Sequence, residues 1–270
     1  REGVDLRVSR YFPRGSLSFS YADSREHDYI SNAWSLSGTL STADKNTTLA
    51  YGLGITADEV NVPAAGVVER SKNIYQGMLG VTQVLSPHDI AQLTLTYSSG
   101  DGYFSDPYKL NDKRPDDKRQ TTVLARWNHY LPMTRGTARL SYRYYTDTFD
   151  VHAHTLTAEY VQPLPDGWTV APFVRAYAQS AASFYLEAVN TPFPTPALRT
   201  GIQSQDQRLS AFGGGSLGVK ISKSLGPDLL LDFRYERYEQ RTDWYPFGDG
   251  SVNLDPFKAD IYQVGLSYYF

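Results

Sequence analysis

The residues best suited to chemistry are Asp147, Asp150, His152 and His154. Two histidines two positions apart share one face of an extended strand. There they could ligate a metal or, with a carboxylate, act as a general base. A surface hydrolase using Asp147, His152 or His154 is therefore one reading. The competing reading is a polar hairpin whose imidazoles bond to loop carboxylates. No third partner stands at a diagnostic spacing, so no catalytic residue, metal or cofactor is assigned. His27, His88 and His129 are scattered, and the chain has no cysteine, which excludes disulfides, thiol catalysis and thiolate metal sites.

A second set is chemical by charge. Arg126, Arg139, Arg143, Glu159, Arg175, Lys220, Asp232, Arg234 and Glu236 each stand next to apolar residues, at alternating positions in the second half of the chain. The first half carries small neutral groups at the corresponding positions, among them Ser18, Ser20, Ser35, Ser37, Thr39, Gly52, Gly54, Thr94 and Thr96. Acidic residues collect in the stretches between: Asp101, Asp106, Asp116, Asp117, Asp243, Asp249 and Asp255. Asp249-Gly250-Ser251 loosely resembles a calcium loop but lacks the full spacing. These stretches read as solvated surface loops.

The elements that position these residues follow a period of two almost everywhere. Thirteen strands are predicted. Their apolar faces begin with Val4, Leu6 and Val8 and continue through Leu17-Phe19-Tyr21, Trp34-Leu36-Leu40 and Leu49-Tyr51-Leu53. They end with Leu229-Leu231-Phe233-Tyr235 and Tyr262-Val264-Leu266-Tyr268-Phe270. Pro172 weakens the tenth strand, because proline removes a ladder donor. Tight turns rich in Pro, Gly, Asp and Asn, such as Phe12-Pro13-Arg14-Gly15 and Ser86-Pro87-His88-Asp89, follow every odd strand. The other connections are generally longer and polar, at 57–72, 99–119, 180–206 and 241–258, while 22–29 and 145–151 are shorter.

Short turns at one end and long loops at the other are the layout of a transmembrane antiparallel up-and-down β-barrel of the bacterial outer membrane. Mean hydropathy is -0.43 and no stretch approaches the roughly 20 apolar residues of a membrane helix, which barrel strands do not need. Tyr, Phe and Trp number 21, 12 and 4, enough for aromatic girdles. One domain of 270 residues accounts for the chain, and a net charge of -3 without a basic patch argues against nucleic acid. Short turns are periplasmic in this class, which puts the C-terminus in the periplasm. The first strand would then start at the outer face, and bacterial single-chain barrels have even strand numbers. The expectation is an N-terminally incomplete barrel of about 14 to 16 strands by that parity rule, completed by missing strands or by a partner chain. Val264, Leu266, Tyr268 and Phe270 close the chain with the alternating pattern of a barrel-assembly signal.

Several stretches carry a family resemblance: Arg1-Glu2-Gly3-Val4-Asp5-Leu6, Gly102-Tyr103-Phe104-Ser105-Asp106-Pro107-Tyr108-Lys109, Ser141-Tyr142-Arg143-Tyr144-Tyr145-Thr146-Asp147, Val151-His152-Ala153-His154-Thr155-Leu156 and Trp168-Thr169-Val170-Ala171-Pro172. Together the sequence resembles an uncharacterised bacterial family of outer-membrane β-barrels, known only as a domain of unknown function. The resemblance implies further N-terminal strands, which favours the larger strand number, and it implies no established activity. Genes of that family often lie near those for a small lipoprotein, a thioredoxin-like protein and a flavin-transferring enzyme. This implies a lipoprotein or redox partner in the envelope.

Given a barrel, the charged positions face inward, because a charge facing lipid at mid-membrane costs about 2–4 kcal/mol. Three readings of the interior stay open. The Arg-rich wall could set a transverse field in a passive, porin-like channel, mildly favouring anions. Arg and Glu on adjacent strands could instead pair and hold the interior together. The neutral wall could receive a plug, such as the 180–206 loop with Phe193-Pro194-Thr195-Pro196, or a partner segment. The expected partners are outer-membrane lipid, the barrel-assembly machinery and a lipoprotein or periplasmic protein. A non-catalytic scaffold is the alternative to a channel.

Overall fold

The computed structural model describes residues 1–109, 112–187 and 201–269. Thirteen strands form one sheet in chain order, every neighbouring pair antiparallel. They are β1 (Glu2–Phe12), β2 (Gly15–Arg25), β3 (Tyr29–Ser41), β4 (Thr47–Val62), β5 (Val67–Ser86), β6 (Asp89–Gly102) and β7 (Asp117–Leu131). The sheet continues with β8 (Gly136–Asp147), β9 (His152–Pro163), β10 (Trp168–Gln179), β11 (Phe212–Ser224), β12 (Leu229–Arg241) and β13 (Phe257–Tyr268). Period-two sequences form strands because alternate residues then serve opposite surroundings, and the register shifts only at the turn ends of two hairpins, between Val60 and Val62 against β5 and between Val84 and Ser86 against β6.

Two details depart from the sequence reading. Residues 57–72 are not a loop: β4 runs to Val62 and β5 starts at Val67, so one long hairpin closes through a 3-10 turn at Pro63–Ala65. The alternation persists there with polar residues on both faces, which reads as a loop until pairing is known. Pro172 stays inside β10 and is paired with Val219 of β11. The ladder toward β9 is interrupted at Ala171 and Pro172 and resumes at Phe173 opposite Glu159 without a change of register. That is the expected consequence of a missing N–H.

The outward face is apolar and exposed, as in a sheet that meets lipid. Leu6 is 57% accessible, Leu53 68% and Leu217 67%. Exposed aromatics edge this band at both ends: Tyr75, Tyr97 and Tyr142 toward the long loops, Phe12, Trp127 and Trp168 toward the short turns. On β12 and β13 the Tyr235 and Tyr262 rings lie 5.1 Å apart, and beyond them the same face turns charged. Arg237 pairs with Asp260, and Glu239 with Arg241 and Lys258. Aromatic residues followed by outward charges mark where hydrocarbon gives way to headgroups.

Both outer edges of the sheet are free among the described residues, since β1 pairs only with β2 and β13 only with β12. Buried apolar side chains do not form a central core. They cluster at the long-loop end, where Phe149, Val151, Ala182 and Leu209 pack with Phe104, Tyr145, Phe184 and Tyr185.

Candidate functional site

The neutral wall comes first in the chain. Ser9 meets Ser18 at 2.8 Å, Ser16 meets Thr39 at 2.9 Å and Ser41 meets Thr48 at 2.9 Å. Each hydroxyl bonds across a strand boundary on the inward face, so the small residues form satisfied polar rungs. Arg7 stands on the same face and donates to Ser20 Oγ at 3.0 Å.

The charged wall lies on β7 to β12, and all nine predicted positions share the inward face, opposite the apolar one. Arg139 pairs with Glu159 at 3.2 Å, Lys220 with Asp232 at 3.6 Å and Arg234 with Glu236 at 2.7 Å, while Arg175 approaches Glu236 at 4.0 Å. Arg126 instead donates to Gln92 Oε1 at 3.3 Å, and the Arg143 guanidinium lies 5.6 Å from the centre of the Tyr145 ring. Pairing within and between strands therefore consumes all three acids of the set and leaves Arg126 and Arg143 without a carboxylate among the described residues. Phe173, a wall residue that the charge pattern does not reveal, lies under Arg234 with the guanidinium 4.4 Å from its ring centre. Its space is made by Gly218 opposite it on β11, where a Cβ would sit 2.5 Å from the ring. A glycine inside an apolar strand was the available signal.

At the long-loop end two connections meet. The β6–β7 connection packs back over the inner face of β3 to β6. Tyr108 donates to Asp28, Arg70 lies 5.5 Å from the Tyr103 ring centre, and Lys72 lies 5.7 Å from that of Phe104. The β10–β11 connection is anchored on the other side, where Gln179 Nε2 donates to the carbonyls of Arg208 and Ser210 at 3.0 and 2.8 Å. Between them runs an ionic latch. Arg114 binds Asp112 at 2.9 Å and Asp206 at 2.7 Å, and Arg208 binds both Asp206 and Asp106. A backbone bridge joins Lys113 and Gln203 in both directions at 2.8 Å. The β12–β13 connection joins in through Ser251, whose N–H donates to Ala211 O at 3.0 Å and whose Oγ accepts from Ala211 N at 2.9 Å.

Asp206 is the centre of the latch and is fully buried. Burial pushes its carboxyl up, but hydrogen bonds and charge from Arg208, with a further bond from Arg114, outweigh that and hold it at about 2. The same carboxylates keep the Arg208 guanidinium protonated even more firmly than usual. These loop acids are thus not simply solvated: Asp106 and Asp112 are ion-pair partners in a closed network. What the sequence does not show is which loop meets which, since the partners are about a hundred residues apart. The part of the 180–206 loop holding Phe193, Pro194, Thr195 and Pro196 lies outside the described residues.

The histidine hairpin resolves differently from the hydrolase expectation. His152 and His154 stand opposite Thr146 and Tyr144 on the outward face. Tyr142 Oη lies 2.7 Å from His154 Nδ1, and Tyr144 Oη 3.0 Å from His152 Nδ1. Asp147 is on the inward face, bound by Lys118 at 3.0 Å and Tyr145 at 2.6 Å. It also accepts from the N–H groups of Phe149 and Val151. The sheet itself separates the acid from the imidazoles. Among the described residues no group of three or more His, Cys, Asp or Glu is placed to hold a metal. The terminal pattern appears as one exposed stripe on β13, with Val264, Leu266 and Tyr268 at 76%, 69% and 66% accessibility. Phe270 lies outside the described residues.

Known structures share this architecture. CdiB from Acinetobacter baumannii superposes with a TM-score of 0.54 at 12% identity, over 99% of this chain and 53% of that one. The siderophore receptor PirA from Pseudomonas aeruginosa superposes at 0.57 with 9% identity, over 98% of this chain and 57% of its own. Both are outer-membrane β-barrels, and at this identity the likeness shows the fold. The chain spans little more than half the length of each. No curated protein matches the sequence. The family described as "Protein of unknown function (DUF3570)" matches residues 1–270, and the chain belongs to that family.

Proposed function

We propose that this chain forms the wall of an outer-membrane conduit whose long-loop mouth is closed by the latch at Asp206. The observation that carries the reading is the division of the two sheet faces. The outward face is apolar through its middle and fringed by aromatics, while the nine charged positions from Arg126 to Glu236 share the opposite face. Charges are placed inside such a sheet because lipid excludes them and water accepts them. The short turns lie in the periplasm, the latched loops outside, and β13 ends at the periplasmic face. Hydrocarbon also tolerates no unpaired strand edge, so in the membrane the edges of β1 and β13 are paired.

The conduit is passive and non-catalytic. Its selectivity is weaker than the number of arginines suggests, because cross-strand carboxylates neutralise half of the wall. Arg126 and Arg143 carry the remaining anion preference. The experiment is single-channel conductance of the full-length protein in a planar bilayer. The expected result is low basal conductance that rises when the latch is broken by Asp206→Ala with Arg208→Ala. A mouth variant as silent as the parent would sink the reading.

A second reading, a scaffold barrel that anchors a lipoprotein or redox partner, draws on the hydroxyl-lined wall and the two free edges. Co-purification after mild solubilisation of native membranes tests it. Recovery of the single polypeptide alone would remove it.

A further inference from the structure

Beside the latch, on the inward side of β10 to β13, lies a cavity of about 690 Å³. That is within the usual range for small-molecule sites. Its rings are Phe212, which is buried, and Phe257, which is 57% accessible. Its polar groups are Gln207, Gln240 and Asp255, with Arg208 and Gln179, whose amide is already bonded to Tyr177 and to the carbonyls of Arg208 and Ser210. The side-chain bonds define what each polar group has left to offer. Gln240 Oε1 accepts from Tyr238 Oη at 3.0 Å and Gln207 Oε1 accepts from Lys109 Nζ at 2.9 Å. Each amide oxygen therefore already accepts one bond, and both amide N–H₂ groups remain as donors. Asp255 has no partner among the described residues and supplies acceptors. The aromatic surface continues into the barrel, with Phe257 6.1 Å from Tyr238 and Phe212 5.6 Å from Tyr177, centre to centre.

From this we infer that the cavity binds a neutral, polyhydroxylated ligand, a short oligosaccharide. The chemistry follows group by group. Sugar hydroxyls can accept from the two amides and donate to Asp255, and the C–H face of a pyranose lies on an aromatic ring. A purely apolar ligand would leave the amide donors and Asp255 desolvated and unpaired, at a cost for each. An anion would meet Asp255, and the one nearby guanidinium, Arg208, is already held by Asp106 and Asp206. An organic cation would suit the rings and Asp255 but would meet two amide donors with nothing to accept from them. The tyrosines below the cavity give the same class of ligand a polar and aromatic track along β10 and β12. The inference deepens the conduit reading by naming what enters at the mouth, and it rests on that reading only for passage, not for binding.

The test is calorimetric titration of the full-length protein in detergent with maltotetraose and cellotetraose, and with choline and sulfate as charged comparators. The expected result is saturable binding of at least one tetrasaccharide in the millimolar range, weakened at least tenfold by Gln240→Ala and by Phe257→Ala. Gln207→Ala, on the exposed loop, gives the same loss without touching a strand. No saturable binding of either tetrasaccharide would overturn the inference. So would binding that all three variants leave unchanged, or tighter binding of choline or sulfate. Conductance recorded on the same samples separates the two ideas. A latch-broken pore that conducts and ignores sugars removes only the site, and sugar binding by a protein whose latch-broken form stays silent removes only the conduit.

Discussion

Asp206 shows how much one side chain carries at the mouth. Its carboxyl is held at about 2 by two guanidiniums, against an ordinary value near 4 in an unfolded chain. A folded value below the unfolded one means that the latch contributes fully above about pH 4 and is lost as pH falls toward 2. Conductance through the wild-type mouth is therefore expected to be flat between pH 5 and 8 and to rise only in strong acid; a step at neutral pH would show that some other group holds the loops. Asp206→Ala leaves Arg114 buried with only Asp112, a loss of roughly 3 kcal/mol from the cap by the usual cost of breaking a buried pair. Protease cleavage in the 103–116 segment should accelerate, while the strands stay protected. On the wall, Arg126→Gln with Arg143→Gln should remove most of the anion preference, whereas Arg139→Gln together with Glu159→Gln should change it little. Reversal potentials in a salt gradient read both.

At the scale of the element, the strands were the legible part. All thirteen, with the short turns between them, follow from the alternation, because each residue of a lipid-facing sheet answers to one of two solvents. Residues 57–72 were missed for the same reason. Beyond the membrane edge both faces meet water, the alternation loses its meaning, and only the pairing of β4 with β5 shows a strand. Gly218 illustrates packing that a pattern cannot reveal. It makes room for Phe173, which in turn receives Arg234. Gly218→Ala is expected to cost about 1–3 kcal/mol through overpacking and to lower the temperature at which the barrel unfolds on a semi-native gel. An unchanged transition would mean that the ring has room to move.

At the scale of the molecule, the long loops close over one end of the sheet. Connections that leave the sheet after β6 and β10 meet over the interior, four strands apart in the sheet order, and join inner-face contacts on β3 to β6 with those on β10 and β11. Lys113 and Gln203 form a doubly hydrogen-bonded antiparallel bridge, a geometry with Cα atoms roughly 5.5 Å apart and within reach of a disulfide. The chain has no native cysteine to interfere. Lys113→Cys with Gln203→Cys should therefore cross-link spontaneously and fix the mouth shut. Conductance in a latch-broken background should fall on oxidation and return with reductant. Failure to cross-link would place these segments apart in the membrane.

The sequence by itself determined the thirteen strands, the turn and loop ends, the sharing of one sheet face by the charges from Arg126 to Glu236, and the family resemblance. These are local consequences of a two-residue period and of the cost of charge in lipid. Only the tertiary structure decided that the wall charges neutralise one another, that Asp147 and the two histidines lie on opposite faces, and that Asp106, Arg114, Asp206 and Arg208 form one latch. Those outcomes depend on which distant segments come within a few ångströms. Ionic side chains in polar loops carry no period that would announce their partners.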